Sequence, residues 1–196
     1  MKNIIKLIII LISYSSYAQD PIININNWHG ETPNNCYLKY IDNLLNPFEG
    51  TWVYTNGNTS LKIVLLKKTM TYRGGLYEDI LIGEYQYIRD GEELFNSLSE
   101  IDVVLPFQIN HHIAGNYLPK TPTPFSDYTT DNFRVNLFFR EDNGFGCNIE
   151  VRKTSVDGVE AIQIFKVSRP PLRTNGIDYP GSAMVKDGFY TLVKLP

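Results

Sequence analysis

Several things are scarce in this chain, and each scarcity closes a route. It has two cysteines and three histidines in 196 residues. Neither cysteine belongs to a Cys-x-x-Cys pair, so redox catalysis and thiolate zinc sites have no local signature. Positive charge is not in excess: 18 Lys and Arg against 21 Asp and Glu leave a formal charge of −3. Binding to nucleic acid or to an anionic membrane surface therefore lacks the cations it needs. The sequence contains no Gly-x-Ser-x-Gly elbow, no phosphate loop, no dinucleotide fingerprint, no His-Glu-x-x-His run and no EF-hand loop. An enzyme is accordingly not expected, and no cofactor is implied. The apolar run Leu7 to Ile12 is far short of the ~20 residues a membrane-spanning helix needs.

That short run has a different use. Lys2 and Lys6 precede it, and Ser16-Tyr17-Ala18 follows as a small-x-small site, so residues 1–18 read as a signal peptide cut before Gln19. The expected location is secreted or periplasmic, with no membrane span after cleavage. Loss of two lysines takes the mature charge to −5. An oxidising compartment allows Cys36 and Cys147 to pair, the alternative being two separately buried thiols. Residues 19–34 are rich in Asn and Pro without a period and read as a flexible arm. Leu38, Ile41, Leu44 and Leu45 then recur at helical spacing after Asn34-Asn35 and stop at Asn46-Pro47, predicting one short helix.

From Phe48 onward the pattern is extended. Asn56-Gly57, Asp90-Gly91, Asn143-Gly144, Asp157-Gly158, Asn175-Gly176 and Asp187-Gly188 are dipeptides suited to hairpin turns. Between them lie extended runs at 51–55, 59–68, 76–89, 92–98, 103–109, 133–140, 147–154, 159–167 and 189–195. Phe133, Val135, Leu137 and Phe139 share one face, with Arg134, Asn136 and Arg140 on the other. Such one-sided strands belong to antiparallel sheets. Residues 35–196 thus read as a single mainly β domain, an up-and-down barrel of about eight strands, with a two-sheet sandwich as the competing arrangement. Pro-rich segments at 116–132 and 168–182 read as rim loops.

Phe48-Glu49-Gly50-Thr51-Trp52-Val53-Tyr54 resembles the opening strand of calycin barrels such as lipocalins, fatty-acid-binding proteins and avidins. The resemblance implies a calycin-like barrel whose Trp closes the floor. In lipocalins a late-strand Arg packs on that Trp, and no Arg of this chain is matched to it. Tyr17-Ala18-Gln19, the stretch Pro33 to Lys39, Leu45 to Trp52 and Tyr77 to Tyr85 are similar to an exported family of Bacteroidota defined only as a domain of unknown function. That likeness brings no activity or ligand.

The residues themselves offer few sites. His111 and His112 are neighbours, and on a strand neighbours face opposite ways, so no metal site is expected from them. The adjacent acids Glu78-Asp79, Glu92-Glu93 and Glu141-Asp142 read as solvated strand ends. Trp52, Tyr54, Tyr85 and Tyr87 are same-face aromatics that either fill the interior or line an apolar cavity there. The expected function is non-catalytic binding of a small apolar or weakly polar molecule by these four. The alternative is an extracytoplasmic protein-interaction module with a filled barrel, which large inward side chains such as Phe133, Phe139 and Phe165 would favour.

Overall fold

Turn chemistry sets the order of the strands. The computed structural model describes residues 21–25, 31–119, 134–168 and 182–196. Among these, Asp90-Gly91 and Asp157-Gly158 hold positive φ at both positions, 55° and 85° in the first pair and 50° and 79° in the second. That is the backbone a two-residue hairpin demands. Asn56-Gly57 and Asn143-Gly144 also lie at hairpins, and Gly74-Gly75 makes a further one. Asp187-Gly188 instead opens a strand, and Asn175-Gly176 lies outside the described residues. The signal segment and Phe133 lie outside them too.

Eleven strands result among the described residues: β1 Ile22–Asn24, β2 Tyr37–Lys39, β3 Gly50–Asn56, β4 Thr59–Arg73, β5 Leu76–Arg89, β6 Glu92–Asn96, β7 Ile113–Tyr117, β8 Arg134–Arg140, β9 Gly146–Val156, β10 Val159–Lys166 and β11 Gly188–Lys194. Eight of them, β3-β4-β5-β7-β8-β9-β10-β11, pair antiparallel in chain order. Val193 then pairs with Val53, and Lys194 with Trp52, returning the sheet to its first strand. The pairings therefore form a closed ring. Alternation sends Trp52, Leu61, Ile63, Leu65, Leu81, Tyr85, Val135, Leu137, Phe139, Ile149, Val151, Ile162, Ile164 and Leu192 into one continuous buried cluster.

β5 departs furthest from one-sided burial. Its far edge is shared by three partners: β2 at Tyr77 and Glu78, β7 at Leu81 to Gly83, and β6 from Gln86 to Arg89. Its outward residues Ile80, Ile82 and Glu84 are buried as well. The connection from Ser97 to His112 lies over this outer face, bringing Phe107 and Ile109 beside Ile80. Gly83 is required at the crossing, because a Cβ there would stand 2.6 Å from Leu65 Cδ2 and 2.7 Å from the Val64 carbonyl oxygen.

Three expectations are corrected here. The short N-terminal helix does not form. Asn35 and Asn43 adopt positive φ, and Tyr37–Lys39 becomes a strand parallel to the start of β5. Ile41, one of the four periodic residues, is 55% exposed. A helix this short is marginal alone, so strand pairing outweighs its period. What precedes β3 is a single 3-10 turn, Asn46–Phe48, opened by Pro47. In the segment read as a flexible arm, Ile22–Asn24 pairs with β2, where an edge offers free backbone groups. The run 103–109 is no strand: Pro106 lacks a donor and Val104 is 87% exposed. The strand of that region is β7, seven residues beyond Pro106.

Candidate functional site

The four aromatic candidates converge on the interior, where they are packed. Trp52, Tyr85 and Tyr87 are buried in the central cluster and Tyr54 lies against it. The Trp52 indole donates to the Phe48 carbonyl at 2.9 Å, which ties the 3-10 turn to the first ring strand. Two lysines, Lys153 and Lys194, hold their ammonium groups 4.8 and 5.2 Å from its ring. Tyr85 stacks at 4.6 Å on Phe95 and 4.7 Å on Phe139, and Tyr54 meets Tyr190 edge-on at 4.9 Å. Burial pushes the Tyr85 phenol well above its usual range. Phe139 points inward. Phe165 does not: it is half-buried on the outer face.

On that outer face, the register of β8, β9 and β10 builds a groove of about 330 Å³. Asn148 and Glu150 of β9 form its floor. Asn136 and Phe138 stand opposite them on β8, and Phe165 stands opposite Glu150 on β10. Val167 extends the second wall. The Phe138 ring lies over Gly146, where a Cβ would come within 2.8 Å of its Cζ, and the Arg140 guanidinium sits 5.6 Å from the ring. Phe165 in turn packs at 4.7 Å on Phe189. Aromatic walls over an amide and a carboxylate suit a flat molecule with polar groups along one edge.

A second site stands where β5 changes partner from β7 to β6. Glu84 is buried there, a lone acid inside the apolar run Ile80 to Ile88. His111 Nδ1 lies 2.7 Å from one carboxylate oxygen, and His112 Nδ1 lies 2.6 Å from the other. The Ser97 hydroxyl donates to Glu84 at 2.5 Å. The neighbour rule for histidines fails here because 111–112 is a bend before β7 and not part of it, so both rings turn to one carboxylate. Burial raises the Glu84 pKa, but the bonds from His112, Ser97 and His111 outweigh it and hold the carboxyl below its usual range. The bond to Glu84 raises that of His112 against the opposing effect of burial. Glu100, exposed on the next turn, brings a third donor: one ligand atom each from Glu84, Glu100 and His112 lie within 4.8 Å of one another.

Other acids also depart from expectation. Glu78 and Asp79 are buried at the start of β5: Asn116 donates to Glu78 at 3.0 Å, and the Tyr37 hydroxyl donates to Asp79. Glu141 is buried with Lys166, Nζ to Oε1 2.9 Å, an ion pair rather than an aligned hydrogen bond. Partners from other strands explain each case. The expected pairing of Cys36 with Cys147 is corrected as well, since both are free and buried. The Cys36 carbonyl accepts from Tyr77, whereas Cys147 is in register with Phe139, and through Ile113 with Gly83. Six residues of β5 separate those levels, roughly 20 Å at ~3.3 Å per residue, against the ~7 Å Cα limit of a disulfide. Burial pushes the Cys147 thiol up.

Among the described residues, no helix is long and apolar enough to cross a membrane. No curated protein and no solved structure matches the chain. The model of a family of unknown function, DUF6705, matches residues 1–162.

Proposed function

Because the chain belongs to this family of unknown function, its geometry must supply the reading, and we propose a non-catalytic binding protein whose ligand sits outside the ring. In this reading the ring is a calycin-like barrel with a filled interior, exported by its N-terminal signal and working in the periplasm or the medium. The ligand is a small, flat, partly apolar molecule held between Phe138 and Phe165, its polar edge on Asn148 and Glu150. One observation carries this: the aromatic-walled groove of about 330 Å³ is within the size range of small-molecule sites, whereas Trp52, Tyr85 and Tyr87 are consumed by core packing. Absence of a cationic excess fits a neutral or weakly polar ligand.

The test is titration of the folded protein with a neutral, environment-sensitive aromatic dye. Saturable one-to-one binding at micromolar concentration is expected, weakened at least tenfold, about 1.4 kcal/mol, by Phe165→Ala. Binding that ignores Phe165→Ala and Phe138→Ala would place the ligand elsewhere. Phe189, 52% exposed beside Phe165, supports a second reading, a protein-interaction module using the same face. No saturable dye binding would put that reading ahead.

A further inference from the structure

We propose that Glu84, Glu100 and His112 bind one divalent transition-metal ion, which pins the Ser97–His112 connection to β5. The donors come from three places in the chain: the middle of β5, the 3-10 turn Leu98–Glu100, and the bend before β7. Carboxylate oxygen together with imidazole nitrogen is the donor mix that suits zinc(II) and its neighbours in the first row, whereas calcium and magnesium prefer oxygen alone.

The charge balance points the same way. Two carboxylates approach within 4.8 Å, and among the described residues no Lys or Arg forms an ion pair with either; the paired groups of Glu84 are the two imidazoles. A divalent ion would neutralise both acids. Its approach is asymmetric. Glu84 is buried and already oriented, one oxygen beside His111 and the other accepting from Ser97 and facing His112. Such outer hydrogen bonds aim a ligand before the ion arrives. Glu100 is exposed and His112 is partly so, so water can complete the coordination from the open side.

The location gives the ion a purpose. β5 loses its β7 partner after Gly83 and gains β6 only at Gln86, so Glu84 and Tyr85 mark a gap in the pairing on that edge. Ser97 fills part of it, its amide donating to the Tyr85 carbonyl at 3.0 Å. An ion on Glu84, Glu100 and His112 would join the two ends of the connection that spans the gap.

The experiment uses the full chain after chelator treatment, titrated with Co2+ and then challenged with Zn2+. One equivalent of Co2+ should bind at micromolar concentration with a visible absorption band, Zn2+ should abolish the band, and Zn2+ should raise the melting temperature. Glu100→Gln, an exposed change that leaves the fold intact, should weaken binding at least ~10-fold and remove the thermal shift, and His112→Gln should do the same. Glu93→Gln should behave like the parent. Failure to bind either ion, or parent-like binding by both Glu100→Gln and His112→Gln, would overturn the proposal. Dye binding in the outer groove is unaffected by either outcome.

Discussion

The two ends of the ring carry inward lysines and treat them in opposite ways. At one end Lys153 and Lys194 lie over Trp52 with side chains 25% and 34% exposed, and Glu160 binds both from solvent. At the other, Lys166 is 2% exposed, paired with Glu141, and donates to the Val185 carbonyl at 2.8 Å. The first pair acts as an amphipathic lid, methylene stems on an aromatic ring and ammonium groups in water. Lys166 is an internal strut that has lost its hydration and survives because Glu141, Asp187, the Ser168 hydroxyl and the Val185 carbonyl offer it oxygens. Position on an inward-facing strand does not decide the energetics of a charge; the dielectric around it does.

The sharpest test of that contrast is at the ring that the exposed lysines cover. Trp52→Ala should cost roughly 3 to 5 kcal/mol, the range for a core aromatic, read from urea unfolding. A loss below ~1 kcal/mol is what an ordinary surface substitution gives and would make the lysines, not the indole, the closure of that end. Next is Lys166→Met, which strands Glu141 and should cost about 3 kcal/mol. Adding Glu141→Gln should recover part of the loss, because a buried amide is cheaper than an unpaired carboxylate and still accepts from the Met184 amide. If Lys166→Met proves neutral, the two ends are alike and the comparison fails.

The smallest effect belongs to Glu160. Hydrogen bonds from Lys153 and Lys194 hold its pKa below the ordinary 4.5. A depressed carboxyl contributes stability above its unfolded value and loses it as pH falls through the folded one, so the contribution should be full above pH 4.5 and decline as pH falls below it. Solvent screening keeps it to on the order of 0.3 kcal/mol. Glu160→Gln should therefore flatten only the acid edge of the stability profile, and a change at neutral pH of more than ~1 kcal/mol would show the lid to be as dry as the strut.

Where alternation and turn chemistry act alone, the sequence was readable. Val135, Leu137, Phe139, Ile149 and Val151 face inward as their spacing says, and four of the Asn-Gly and Asp-Gly pairs lie at hairpins. Trp52 is buried in one cluster with Leu45 and Phe48. The predicted helix gives way because a 3.6 period over four residues cannot compete with an available strand edge at Tyr77. Strand geometry does not govern His111 and His112, because they follow the 3-10 turn Gln108–Asn110 and precede β7. Glu84 had a signal that went unused: one acid in the middle of Ile80 to Ile88 has to find partners when both faces are covered. The groove was unreadable, since Phe138 and Phe165 occupy the face that alternation assigns to water.

The seam between β3 and β11 has a kinetic meaning. Two residue pairs, Val53 with Val193 and Lys194 with Trp52, join strands 140 positions apart in sequence, and every other junction of the ring links strands closer along the chain. The seam is thus the most entropically expensive contact to make, and its ladder of two register pairs is the shortest in the ring. Until β11 arrives, the edge of β3 is an open template for another strand, and Trp52 lacks Lys194 above it. A chain whose last strand has not yet docked is an incomplete ring, and the end that closes last is also the first place from which it would open.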